Sequence, residues 1–193
     1  PQSAYSFSVF SSDVLGNIYE VFLGEYVTCE NGEPILKKKD ENVDRDIVTT
    51  PTYIIRSIIE KTVLEYIKDR SLEQLETNKF ADIACGSGAF LLETYQLIQD
   101  ELVDYYLKHD PQRLVQISPY RHKLAFDDKR KLLLACIYGV DKDYNAVQAC
   151  KFGLLLKLLE DENAQSILIT DDKNFATKVL NSIKKIKKDL SKK

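Results

Sequence analysis

Hydrophobic residues recur at helical spacing in four long segments of the chain, with two short apolar runs between them. Apolar side chains fall three or four positions apart in residues 11–27, 48–63, 89–107 and 144–160. The short runs have strand length and each carries an aspartate at or near its end, Lys79–Ala84 and Cys136–Asp141. Strands separated by helices predict an α/β fold with an open, mostly parallel sheet.

A threonine-proline pair marks the start of the second helical segment. Thr50 is a residue type that caps helices, and Pro51 suits the first helical position because that position needs no N–H donor. We therefore predict a helix capped by Thr50. By itself the pair is a common helix start and says little about function.

Two polar segments carry lysine runs. Residues 28–48 include the turn signal Asn31-Gly32 and predict an exposed loop or hairpin. Residues 175–193 predict a basic amphipathic helix or a frayed tail. Lysines in such runs are more often solvated than bound to DNA phosphates, so we interpret both runs as solvent-exposed.

The region between the two predicted strands is longer than one helix requires. Residues 109–129 contain two prolines and mixed polar residues, which favours an insertion over another regular unit. A short helix containing Lys129–Leu134 is predicted to lead into the second strand. Further along, the apolar run Ile167–Ile169 predicts a third strand.

A loop of small residues joins the first strand to the helix that follows. Small residues let a backbone pass close to a ligand, and the loop has four in five positions, Ala84, Gly86, Ser87 and Gly88. A dinucleotide site would need a third small residue where this chain has Leu91. Asp82 before the loop suits a ligand with positive charge. S-adenosylmethionine, which carries an ammonium and a sulfonium group, is such a ligand.

Asp141 ends the second predicted strand. In nucleoside-binding α/β folds an acid at this position accepts hydrogen bonds from both ribose hydroxyls. It lies 53 residues after Gly88, well above the roughly 20 of a compact dinucleotide unit. The insertion at 109–129 accounts for most of the excess.

Three segments, in the right order, resemble N6-adenine DNA methyltransferases of restriction-modification systems, most closely the type IIG kind. Asp82–Leu91, DIACGSGAFL, resembles the family motif D-P-A-C-G-S-G-x-F-L. Leu15–Val27 resembles the L-G-x-x-Y-E segment before the methyltransferase domain, and Ile137–Val147 resembles the motif built on G-V-D-I-D-P. The chain departs from the family at Ile83 and Tyr144, where proline is usual.

The resemblance implies a partial Rossmann-like S-adenosylmethionine-dependent methyltransferase fold with an N-terminal helical extension. It implies a cofactor site of Thr49, Thr50, Pro51, Asp82, Ala84, Cys85, Gly86, Ser87, Gly88, Phe90, Asp141, Lys142 and Asp172. Thr49–Pro51 would close over the methionine end, although Thr49 replaces the usual tyrosine. Lys142 replaces an isoleucine and can lay its methylene stem on the adenine ring. The adenine amine would meet Asp171, Asp172 or Asn174, and no motif decides among them.

The family's base-binding loop, Asn or Asp followed by Pro-Pro and an aromatic residue, does not occur in the sequence, which contains no Pro-Pro pair. That loop accepts the target amine while the aromatic stacks on the flipped base. We also find no nuclease core. The chain lacks methionine and opens on Pro1, so we expect a piece of a longer enzyme, inactive alone.

Composition adds limits on partners and location. A net charge of −3 gives no basic footprint, so double-stranded DNA should be bound mostly by regions outside this chain. The four cysteines are widely spaced, which predicts buried, reduced thiols in a cytoplasmic protein and no zinc site. No run is long and apolar enough to span a membrane, and the oligomeric state is open.

We interpret residues 1–47 as a helical extension with a linker and residues 48–193 as part of the cofactor domain. The predicted function is the cofactor-binding portion of a DNA adenine-N6 methyltransferase of a restriction-modification enzyme. A non-catalytic nucleotide- or cofactor-binding module is the main alternative. An NAD-dependent oxidoreductase is disfavoured by Leu91, and a helical interaction protein is disfavoured by the strand-loop-helix of residues 80–92.

Overall fold

The structure is a computed structural model that describes residues 25–38 and 50–168, together with Asn174 and Thr177. Its strands are β1 (Glu25–Glu30), β2 (Glu33–Lys38), β3 (Phe80–Asp82), β4 (Leu114–Ser118), β5 (Arg121–Leu124) and β6 (Ile137–Gly139). Its α-helices are α1 (Thr52–Ile67), α2 (Leu72–Leu75), α3 (Ala89–His109), α4 (Phe126–Cys136), α5 (Tyr144–Leu159) and α6 (Ala164–Leu168). A short 3₁₀ helix, Pro111–Arg113, precedes β4.

Strands β1 and β2 form an antiparallel hairpin, one of the two forms predicted for the polar stretch after residue 27. Its two-residue turn has Asn31 at φ 53° and Gly32 at φ 83°. Two left-handed residues make the turn type that matches the twist of a hairpin. Residues 25–27, predicted to end the first helix, belong to β1 instead. The rest of that predicted helix, 11–24, lies outside the described residues.

The two predicted central strands pair in parallel, as the α/β pattern requires. Phe80 lies opposite Ile137 and Asp82 opposite Gly139. Both strands are shorter than predicted, because the chain leaves regular pairing as soon as the loop begins. Two backbone hydrogen bonds continue the contact there, from the Val140 N–H to the Asp82 carbonyl at 2.9 Å and from the Cys85 N–H to the Val140 carbonyl at 3.0 Å.

Helix α3 is the centre of the hydrophobic core. One face of α3 is buried and consists of Tyr95, Ile98, Leu102 and Tyr106. It packs against Ile67 of α1, Leu72 and Leu75 of α2, and Leu132 and Cys136 of α4. Two tyrosine hydroxyls of α3 are satisfied inside this core. Tyr95 donates to the Lys129 carbonyl at 2.9 Å, and Tyr106 accepts from the Leu72 N–H at 3.1 Å. The helix that follows the glycine loop is therefore rigidly held.

The interpretation of residues 109–129 as irregular was wrong. They contain the β4–β5 hairpin and the start of α4. Leu124 at the end of β5 is only 1% exposed and packs into the core around α3. Burial of a hairpin residue by the main core makes this segment a regular part of the domain.

The prediction of a third strand at Ile167–Ile169 was also wrong for the residues that the structure describes, because Ile167 and Leu168 lie in α6. Asn163 starts this helix, because its Oδ1 accepts hydrogen bonds from the N–H groups of Gln165 and Ser166 at 2.9 and 2.8 Å. Ile167 then packs against Phe126 and Leu158. An asparagine cap and a buried contact together favour the helix over a strand.

At the start of α1 the predicted cap was displaced by one residue. Pro51 holds the capping position, and no side chain caps the helix, so Thr50 does not act as the cap. In the described part of the chain, no helix has the length and apolar character needed to cross a membrane.

Candidate functional site

The glycine loop, residues 83–88, runs from the end of β3 to the start of α3. Gly86 has φ +51° and Gly88 has φ +94°, conformations that favour glycine. A Cβ on Gly88 would lie 2.4 Å from the Cys150 Sγ, so this glycine also permits close packing on α5. A Cβ on Gly86 would meet no atom within 4 Å. The side of the loop at Gly86 therefore faces open space where a ligand can approach.

Backbone amides of the glycine loop are already bonded to protein acceptors. The donors and acceptors are Ala84 N to Asp82 Oδ1 at 3.0 Å, Cys85 N to the Val140 carbonyl at 3.0 Å, Gly86 N to Asp141 Oδ2 at 2.8 Å and Gly88 N to the Cys85 carbonyl at 2.8 Å. A phosphate-binding loop leaves such donors aimed at the ligand. This loop therefore does not present those four donors to a pyrophosphate.

Asp141 connects the glycine loop to the start of α5. Its Oδ2 accepts the Gly86 N–H and its Oδ1 accepts the Asp143 N–H, both at 2.8 Å. These two backbone hydrogen bonds, Asp143 first, hold the pKa of Asp141 below its ordinary value. Each carboxylate oxygen keeps a second lone pair. Asp141 is therefore a charged, oriented acceptor with capacity left for a ligand hydroxyl.

Asp143, two residues later, has a separate role. It is the N-cap of α5, and its Oδ1 accepts from the Asn145 N–H at 2.8 Å and from the Ala146 N–H at 3.4 Å. The two neighbouring aspartates thus serve different elements, because Asp141 bonds the loop and Asp143 bonds the helix.

Buried thiols lie beneath the glycine loop. Cys85 and Cys150 pack together with Leu91 in a small apolar cluster. Burial is the main cause that raises the pKa of the Cys85 thiol, and the charges of Asp82 and Asp141 add to it. Burial likewise raises the pKa of Cys150 to about 12. Both thiols stay protonated at neutral pH, so they act in packing.

Leu91 packs closely against Gly139, and this contact explains the close packing of α3 on β6. A Cβ on Gly139 would lie 2.7 Å from Leu91 Cδ1 and 3.0 Å from the Cys85 Sγ. A large residue on the helix is thus accommodated by a glycine on the strand. Sequence reasoning missed Gly139 as a packing residue, although the Gly-Val-Asp string contained the signal.

The remaining predicted site residues differ in exposure. Ser87 is buried, Phe90 and Thr50 are partly buried, and Pro51, Ala84 and Lys142 are exposed. Thr49 and Asp172 lie outside the described residues. Three large apolar side chains at or shortly after the ends of β3 and β6 are strongly exposed: Ile83 at 83%, Val140 at 61% and Tyr144 at 73%.

A separate apolar groove of about 630 Å³ lies behind this packing, between α4, β6 and α5. Six of its lining residues are leucines, its charged residues are Arg130 and Lys151, and it includes neither Asp82 nor Asp141. The groove is therefore distinct from the carboxylates. Within residues 25–38 and 50–168, no group of three or more His, Cys, Asp or Glu side chains could hold a metal ion.

The fold and site define a class of protein: an α/β domain with a glycine loop between a parallel strand and its helix, and a strand-end carboxylate on the neighbouring strand. The chain belongs to the N-6 DNA methylase family, which it matches over residues 10–188.

One relative is the type II restriction enzyme and methyltransferase RM.Eco57I of Escherichia coli. It is 58% identical over 168 residues, which make up 86% of this chain and 17% of the relative. The chain thus spans about one sixth of the length of that relative. No solved structure matches the chain.

Proposed function

We propose that this chain forms the S-adenosylmethionine-binding part of a DNA adenine-N6 methyltransferase from a restriction-modification protein. Membership of the N-6 DNA methylase family supports the proposal. So does the similarity to a relative named as both a restriction enzyme and a methyltransferase. Double-stranded DNA would be bound mostly by regions other than these 193 residues, and the cytoplasm is the proposed location.

The hydrogen bonding of the glycine loop is the observation that carries this choice of cofactor. Four loop amides are bonded to protein acceptors, one of them to Asp141. The carboxylates of Asp82 and Asp141 lie on either side of Cys85, since they accept the N–H groups of Ala84 and Gly86. A loop with few free donors and two nearby negative charges disfavours a pyrophosphate and favours a cationic ligand.

The cofactor contacts follow from this geometry. Asp141 would accept a ribose hydroxyl with its remaining lone pairs. Lys142 is exposed beside Asp141 and would lay its methylene stem along the adenine ring. Thr49, Thr50 and Pro51 would close over the methionine end, and Asp172 would meet the adenine amine. The domain assignment, 1–47 as the extension and 48–193 as part of the cofactor domain, belongs to the same proposal.

Bound S-adenosylmethionine would supply a methyl group activated by its sulfonium. In the complete enzyme this methyl group would pass to the adenine N6, and the amine would lose a proton. The loop that orients this amine in the family carries a Pro-Pro pair, which the sequence does not contain. The role of this chain would therefore be to bind and orient the cofactor.

Titration calorimetry on the full chain with S-adenosylmethionine, S-adenosylhomocysteine and NAD tests the proposal. We expect binding of the first two ligands and none of NAD. Affinity for NAD equal to or tighter than that for S-adenosylmethionine would overturn it. The same outcome would favour the oxidoreductase alternative.

A labelled-methyl assay separates the enzyme part from a binding module. The chain alone should not methylate adenine-containing DNA. Mixing it with the rest of a complete methyltransferase of this family should restore incorporation of label. A chain that binds the cofactor yet never supports transfer in such mixtures would favour the non-catalytic module.

A further inference from the structure

Helices α1 and α3 are joined by an ion pair near their first turns. Arg56 lies about one turn after the start of α1 at Thr52, and Glu93 lies about one turn after the start of α3 at Ala89. The Arg56 Nε donates to Glu93 Oε2 at 2.8 Å, and Nη2 donates to Oε1 at 3.3 Å. The two carboxylate oxygens are thus bound by two nitrogens of one guanidinium.

This ion pair is better placed than an ordinary surface pair. The Glu93 side chain is only 12% exposed, whereas Arg56 is 58% exposed. Partial burial of the carboxylate reduces screening by water. A two-point contact also fixes the relative orientation of the two groups, which a single contact does not.

The ion pair lies about one turn after two segments of the proposed cofactor site, one before each helix. Four residues of helix rise only about 6 Å, so the ion pair brings the starts of α1 and α3 to the same side of the helix pair. Thr50 and Pro51 precede α1, and Gly86–Gly88 precede α3. The pair therefore places the threonine-proline segment and the glycine loop at the same end of the two helices.

Hydrophobic packing alone leaves this placement loosely defined. Ile55 and Ile59 are the buried side chains in the first half of α1, and α1 packs on α3. Apolar contacts are non-directional, so a helix held only by them can shift or turn at small cost. The directional contact between Arg56 and Glu93 limits such movement.

We propose that Arg56 and Glu93 are positioning residues, which set the threonine-proline segment at the correct distance from the glycine loop for cofactor binding. This inference rests on the proposed function, because the two segments matter together only if one cofactor contacts both. Neither side chain need touch the cofactor.

A charge-swap cycle tests the inference on the full chain. The variants are Arg56→Glu, Glu93→Arg and the double swap, with Glu93→Gln as a milder change that keeps the side-chain shape. S-adenosylmethionine affinity is measured by calorimetry and stability by thermal melting. Arg56→Glu and Glu93→Arg should each weaken S-adenosylmethionine affinity about three- to tenfold, and the double swap should restore it to within about twofold.

A matched control is the ion pair of Arg121 and Asp161, also a two-point contact between distant parts of the chain. It joins β5 to the turn after α5 and contains no proposed cofactor residue. Single swaps there should lower the melting temperature and leave cofactor affinity unchanged.

The outcomes separate the two hypotheses. If the unmodified chain does not bind S-adenosylmethionine, the proposed function fails and this inference fails with it. If the unmodified chain binds but the single variants bind equally well, only the inference fails. Weakened binding that the double swap does not restore also overturns it, because a residue that acts directly on the cofactor gives that pattern.

Discussion

Gly86 and Asp141 are 55 positions apart in the sequence and are joined by a 2.8 Å hydrogen bond from the Gly86 N–H to Asp141 Oδ2. The same carboxylate accepts the N–H of Asp143. The strand-end acid of β6 therefore shapes the loop that follows β3. Its removal should affect the fold as well as the ligand.

Asp141→Ala should weaken S-adenosylmethionine binding by roughly tenfold to a few hundredfold, since a hydrogen bond to a charged acceptor contributes about 1.5–3 kcal/mol. From sequence alone this substitution would leave stability nearly unchanged. The structure corrects that expectation, because two backbone donors lose their acceptor. Asp141 is partly exposed, so the stability cost should be about 1 kcal/mol. Calorimetry and urea denaturation measure the two effects.

Asp143→Ala is the matched variant two residues away. It removes the N-cap of α5 and should cost about 1 kcal/mol of unfolding free energy. Cofactor affinity should hardly change. Loss of binding in this variant, with binding kept in Asp141→Ala, would reverse the two roles.

Acid should destabilise the chain partly through Asp141. Its backbone hydrogen bonds lower its pKa in the folded state below the ordinary 3.8, so the unfolded chain binds this proton more readily. The stabilising contribution is therefore fully present above about pH 4 and is lost as the pH falls through the lowered pKa. Melting temperatures between pH 3 and 7 should fall less steeply at the acid end for Asp141→Asn. Parallel curves for the two proteins would contradict this assignment.

Two left-handed glycines allow a test of the loop that separates strain from ligand contact. Gly86 and Gly32 have φ +51° and +83°, and an added Cβ would meet no atom within 4 Å at either site. Gly86→Ala and Gly32→Ala should each cost about 1 kcal/mol of stability through backbone strain. Only Gly86→Ala should weaken cofactor binding, because only that glycine faces the proposed site. Equal binding by both variants would place the cofactor elsewhere.

A buried charge cluster should control stability without affecting the cofactor. The Glu162 side chain is fully buried and pairs with Lys123 at 2.7 Å and Lys129 at 2.8 Å. Removing one charge from a buried cluster leaves the others uncompensated, so Glu162→Gln should cost about 3 kcal/mol. Glu160→Gln, which breaks the more exposed pair with Lys157, should cost below about 0.5 kcal/mol. Urea denaturation compares them, and a similar cost for both would contradict the cluster's importance.

Local signals in the sequence predicted the strand, the glycine loop and the start of α3. Small residues and an aspartate carried this prediction. These features depend on neighbours within a few positions. The bond from Gly86 to Asp141 depends on how β3 and β6 pair in space, so no local pattern indicated it.

Elsewhere the prediction failed where a local sequence pattern competed with a tertiary contact or a helix cap. In residues 109–129 the prolines favoured an irregular insertion, but Leu124 gains enough burial in the core to stabilise a hairpin. At Ile167 the apolar run favoured a strand, whereas Asn163 caps a helix. In both places tertiary contacts or a cap outweighed the pattern of apolar residues.

Because three of the four cysteines are buried, the rate at which a thiol reagent modifies them reports how often the structure opens. A thiol reagent should label exposed Cys29 at once and reach Cys85, Cys136 and Cys150 only when the structure opens. Cys85 belongs to the glycine loop, while Cys136 lies in the core around α3. A bound cofactor should therefore slow the labelling of Cys85 more than that of Cys136, so the order of modification would report loop opening separately from global unfolding.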